Sequence, residues 1–93
     1  MKYAILIHDA SDDVGVAVMD LEPGKEVGAA TLEGEPVGSV HIIEAVPLGH
    51  KVAIKDLESG QKVIEYGQPI GSATAGVKTG GHVHVHNLKS LRW

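Results

Sequence analysis

Cysteine is absent from all ninety-three residues, which removes disulfides, thiolate-bound metals and thiol nucleophiles together. Phenylalanine is absent as well, leaving Tyr3, Tyr66 and Trp93 as the aromatics. With so few rings to stack on bases and a formal net charge of −4, the chain has neither ingredient of a nucleic-acid surface, and no such partner is expected. No stretch approaches the ~20 apolar residues of a membrane-spanning helix. The opening "MKYAILIHDASDD" carries one lysine, an apolar run broken by His8, and then acid. It reads as neither a span nor a signal sequence, so a cytoplasmic protein without membrane contact is expected.

What the chain does have is glycine, twelve in all, about twice the usual share of ~7%. Their spacing leaves no window long enough for a convincing helix. Between them, apolar and polar residues alternate with the period of strands over 3–8, 14–21, 38–45, 50–57, 61–66, 70–75 and 82–86. Turn residues separate these runs at 22–25, 32–36, 46–49, 58–61, 66–69 and 78–81. The pattern specifies one all-β domain over residues 1–93.

One segment recurs. "VAVMDLEPGKEV" (16–27) aligns with "VAIKDLESGQKV" (52–63), sharing Val-Ala, Asp-Leu-Glu, Gly and Val. A shorter form, apolar-x-x-Gly-x-x-Val, occurs four times: Leu21/Gly24/Val27, Val46/Gly49/Val52, Leu57/Gly60/Val63 and Val77/Gly80/Val83. This is one turn used repeatedly. An apolar residue ends a strand, glycine takes a backbone conformation closed to other residues, and valine re-enters the core. A pseudo-symmetric fold of intertwined hairpins follows. Asp12 and Asp13 read as a turn, and Glu22, Asp56 and Glu58 as solvent-facing positions of the repeated turn.

The richest chemistry lies in "GGHVHVHN" (80–87). On a strand, His82, His84 and His86 share one face at intervals of ~6.6 Å. Two neighbouring imidazoles can lean onto one metal through bonds of ~2.1 Å, but three on a straight strand cannot. Further ligands would come from His8, His41, His50, an acidic group, water or another chain. The competing explanation is a half-wet strand with a polar face. A second spot is "GHKVA" (49–53), where His50 can act as a general base and Lys51 as a carboxylate clamp or acid. A solvated strand start explains that dipeptide equally well.

Taken together, "GHKVAIKDLESGQKVIEYGQPIGSATAGVKTGGHVHVHNL" (49–88) resembles the SAF domain of the altronate/galactarate dehydratase family, with "DDVGVAVMDLEPG" (12–24) a looser match. The resemblance implies a β-clip fold and a lyase (hydro-lyase) that removes water from sugar acids with a divalent metal, iron or zinc. It also implies that this chain is a small subunit, inactive in isolation, that works with a large dehydratase subunit. Carried over by position, His50 and Lys51 would be catalytic, Tyr66, Gly67 and Asn87 would bind substrate, and His82, His84 and His86 would hold metal. The family often has lysine where this chain has Glu65, and acidic residues where it has Gly76 and Gly81. At a substrate-contacting position, Glu65 would repel a carboxylate.

Two rivals stand beside this reading. One is an independent β-clip module that binds a metal or small acid without catalysis. The other is a structural domain with solvated histidines. Self-association is expected in either case, because short β domains have strand edges to protect.

Overall fold

A computed structural model describes residues 3–90. Its nine strands are β1 (Ile5–Ile7), β2 (Val14–Ala17), β3 (Glu26–Thr31), β4 (Pro36–His41), β5 (Lys51–Ala53), β6 (Lys62–Glu65), β7 (Gln68–Ala73), β8 (His82–Val83) and β9 (Leu88–Ser90). Six form one sheet in the order β4-β3-β1-β2-β5-β8, and three form a second, β6-β7-β9. The β1–β3 pair is parallel; the other pairs are antiparallel. No helix occurs among the described residues. The fold is all-β and consistent with a small β-clip, as expected from the alternation and the resemblance.

The repeated turn accounts for the short strands. At each of its four occurrences the glycine is left-handed: Gly24 at φ 89°, Gly49 at 86°, Gly60 at 87° and Gly80 at 89°. An L-side chain is strained there, so the choice of glycine is dictated by backbone sterics. The leading residues Leu21, Val46, Leu57 and Val77 are all buried. They meet in pairs outside the sheets, as isolated bridges Leu21–Val46 and Leu57–Val77.

These bridges define two equivalent units, 16–27 with 42–52 and 52–63 with 73–83. Their hydrogen bonds repeat position for position. Gly24 N donates to Ile42 O and Gly60 N to Ala73 O, both at 2.7 Å. Gly49 N donates to Ala17 O and Gly80 N to Ala53 O, both at 2.8 Å. Each unit has its own core. Leu21, Val46 and Val52 pack with Ile5, Ile7 and Ile42; Leu57, Val63, Val77 and Val83 pack with Val14 and Ala73. Burying each such large aliphatic contributes roughly 1.5–3 kcal/mol. The units join where β5 pairs with β8, Lys51 opposite Val83 and Val52 opposite His82.

Three expectations are corrected. A strand not anticipated, β3, runs through "EVGAAT", whose glycine and alanines carry weak strand propensity; its pairing with β1 and β4 supplies what propensity does not. The histidine strand expected over 82–86 stops at Val83, and the chain turns through 84–87 before resuming as β9 along β7. Asp12 and Asp13 are buried and serve as anchors: Asp12 accepts the backbone N–H of Tyr66 and Gly67, and Asp13 that of Ile64.

Candidate active site

Asn87 makes the turn that ends β8. Its side-chain amide donates to His82 O at 2.8 Å, and its side-chain oxygen accepts from His84 N at 2.9 Å. Its own N–H reaches back to His84 O at 3.0 Å. Asn87 is itself buried. With three bonds holding the six residues from His82 to Asn87, the strand cannot run on, and the alternation of faces ends. Val85, which a strand would have buried beside Val83, is instead 82% exposed at the tip.

Folding back brings the rings together. His50, entering from the loop before β5, places Nδ1 2.9 Å from His82 Nε2. Its ring stacks on His84 with centroids 4.1 Å apart and on His82 at 5.0 Å. The rings of His82 and His84 lie 5.6 Å apart and nearly parallel. One nitrogen from each of His50, His82 and His84 lies within 4.8 Å of the other two. Donors up to ~4.2 Å apart can share one ion through bonds of ~2.1 Å, so small ring rotations close the set. His86 stands outside it, tilted against His82 at 5.2 Å and exposed.

The electrostatics keep ligand lone pairs free. Loss of hydration, then repulsion from His50, His86 and His84, holds His82 below the ordinary imidazole range, with Glu44 pulling weakly the other way. His84 is lowered too, by lost hydration and then by His50, His86 and Lys51. Neutral imidazole is the form that ligates metal or accepts a proton. Three imidazole nitrogens gathered in this way are a donor set of the kind that catalytic zinc or iron uses.

Lys51 faces elsewhere. Its ammonium lies 3.8 Å from the buried carboxylate of Glu65. Both line a groove of about 290 Å³ with His84, Val83, Ile70 and Leu88. The His50–Lys51 dipeptide is therefore divided: His50 joins the imidazoles and Lys51 joins Glu65. Tyr66 and Gly67 form the β6–β7 turn, both left-handed at φ 59° and 71°. Tyr66 is exposed, its ring 3.6 Å from that of His8; these two residues touch His8, Asp9 and Asp12 rather than the His50–His82–His84 set.

Glu65 and Glu44 escaped the sequence reading as site residues. Glu44 accepts the His82 N–H at 3.0 Å, and nothing local in the sequence announces a contact between residues 38 positions apart.

Comparison with known proteins gives the family. The model of the altronate/galactarate dehydratase SAF domain matches residues 2–91, and the chain belongs to this family. It is 37% identical to the (2R)-sulfolactate sulfo-lyase subunit alpha of Chromohalobacter salexigens across the whole of both chains. It is 42% identical over 90 residues to the altronate dehydratase of Escherichia coli, covering 97% of this chain but 17% of that enzyme. A second sulfo-lyase subunit alpha, from Paracoccus pantotrophus, is 50% identical over 48 residues, which span 52% of this chain and 72% of that sequence.

Proposed function

We propose that this chain is the small subunit of a lyase that eliminates a β-leaving group from a small hydroxy acid, with water leaving as in the sugar-acid dehydratases. It supplies a histidine-bearing surface to an active site completed by a large subunit. The observation that carries this reading is the His50–His82–His84 set standing beside an open groove: a chemically complete donor group without an enclosing cleft. Relatives point the same way. One, matched end to end, is named as a subunit alpha, and in another the matching region is a sixth of a dehydratase.

Elimination removes the proton from the carbon beside the carboxylate. That bonding pair becomes the new C=C bond as the β carbon–oxygen bond breaks, and the departing hydroxide takes up a proton to leave as water. Negative charge grows on the carboxylate oxygens during this step. Fixed positive charge aimed at those oxygens lowers the barrier because it needs no reorganisation. Lys51 is the cation available on this surface, and a neutral imidazole can hold or release the proton at its free nitrogen. A divalent metal, iron or zinc, would be held by His50, His82 and His84, and when bound supplies Lewis-acid stabilisation of developing oxyanion charge.

The test is reconstitution. The chain alone should not turn over altronate, galactarate or (2R)-sulfolactate, and adding a co-purified large subunit should produce turnover of at least one. A mixture no more active than either part, on all three, overturns the proposal. Sulfolactate as the sole substrate would move the leaving group from water to sulfite while keeping the subunit role.

A further inference from the structure

The groove beside the imidazoles is built in a way that the elimination chemistry alone does not require. Its floor is the Lys51–Glu65 ion pair, between the edge of the six-stranded sheet and the β6-β7-β9 sheet. Glu65 is only 5% exposed. Burying a carboxylate costs several kcal/mol that one lysine does not fully offset, and an apolar residue would hold the two sheets together better. The separation of 3.8 Å is that of an ion pair rather than a tight hydrogen bond, for which ~2.9 Å is usual. Lys51, with three donors on a half-exposed side chain, therefore keeps donors for something entering the groove.

What could enter is bounded. At about 290 Å³ the groove lies at the lower limit of the ~300–1,000 Å³ of small-molecule sites. Ile70, Val83 and Leu88 make its walls apolar, and His84 opens it towards the imidazole set. The occupant has a short carbon chain and one anionic head. A lysine swinging freely on four carbons would lose roughly 2 kcal/mol of rotamer freedom on meeting that head. A carboxylate already holding the ammonium at the floor removes part of this loss in advance.

We infer that this groove is the subsite for the anionic head, carboxylate or sulfonate, of a small hydroxy acid, with Lys51 contacting it and Glu65 a positioning residue acting through Lys51. The inference rests on the reading above for the substrate class, but its test needs no turnover. Glu65 thus serves a carboxylate ligand by fixing its cation, rather than repelling it as the sequence suggested.

The experiment titrates the ¹⁵N-labelled full chain with (2R)-sulfolactate and, separately, with altronate, following backbone amide shifts in wild type, Lys51→Met, Glu65→Gln, Glu65→Asp and Lys51→Met/Glu65→Gln. Both acids should shift the amides of Lys51, Glu65 and His84. Lys51→Met should weaken binding at least tenfold and Glu65→Gln about threefold or more, while the double variant binds no worse than Lys51→Met alone. Glu65→Asp, which keeps the charge, should recover most of the loss and covers the case in which Glu65→Gln does not fold. No shifts in the groove, or a Glu65→Gln loss that persists in the Lys51→Met background, overturns the inference. A groove that binds in a complex that never turns over leaves the subsite standing and removes the lyase reading.

Discussion

The two β-clip units share a frame and differ in what their ends carry. In the first, the repeated turn closes at Gly49 and hands over His50 and Lys51; in the second it closes at Gly80 and hands over Gly81 and His82. Even the polar caps match. Asp20 accepts the Leu48 N–H at 2.9 Å, and Asp56 accepts the Thr79 N–H at 2.8 Å. The frame makes stability and the line between the units makes chemistry, because residues of both units meet around the β5–β8 pairing, where Ile43 and Glu44 of the first also hold Gly80 and His82 of the second. Neither unit alone contains the site. His50 comes from one, His82 and the turn to His84 from the other.

The equivalence breaks most sharply at the two closing glycines, and the largest expected effect lies there. Gly49 and Gly80 have nearly the same φ, 86° and 89°. A methyl group at Gly49 meets nothing within 4 Å, whereas one at Gly80 runs into the carbonyl oxygen of His41. Gly49→Ala should cost only the left-handed strain, about 1–2 kcal/mol. Gly80→Ala adds a backbone collision in a packed junction, where Ile43 N also donates to Gly80 O, and should cost about 3–5 kcal/mol by strain and overpacking together. Urea unfolding of the two variants compares them directly. Equal losses would mean that the second unit's turn is not wedged against β4.

A smaller effect separates scaffold from site inside the second unit. Asn87→Ala removes the amide that holds both His82 O and His84 N, at a cost of about 1–3 kcal/mol for buried groups left unpaired. The frame should survive, since Val77, Gly80 and Val83 make their contacts elsewhere. Zinc affinity measured by calorimetry should nonetheless fall at least tenfold, and by more than it falls in His86→Ala. An unchanged affinity would show that the rings assemble without the turn.

The same division explains what could be read from the sequence. The frame was legible because it is local and repeated: left-handed glycine at fixed spacing between buried aliphatics states its own geometry four times. The convergence of imidazoles was legible only in part. Alternation showed that three histidines on a straight strand cannot share a metal and that another must help, and His50 was among those named. It could not show that Asn87 would end the strand after Val83, because period two says nothing about which side chain folds back on its own backbone. Glu65 was noticed as a departure in charge, yet its pairing with Lys51 depends on β6 lying beside the groove, a contact made by tertiary packing. Asp12 looked like an ordinary turn residue because acidic pairs usually are; its burial follows from two unpaired N–H groups at Tyr66 and Gly67 that only the folded hairpin presents.

The smallest effect concerns pH. His82 is lowered by lost hydration and by neighbouring imidazoles, so the folded chain binds its proton less readily than the unfolded chain, whose histidine has a pKa near 6.5. By linkage, stability is unaffected by this group above about pH 6.5, and falls as pH drops from there through the lowered folded value. Wild type should therefore lose more thermal stability between pH 7.5 and 5.5 than His82→Gln, which has no proton to gain. Metal binding should weaken over the same interval, because each proton taken up occupies a ligand lone pair. Imidazole resonances followed by NMR give the finer comparison, with His82 and His84 both titrating below the ordinary imidazole value. A normal titration for both would mean that the stacked rings stay hydrated and do not repel one another, and the junction between the units would then be a contact without a tuned site.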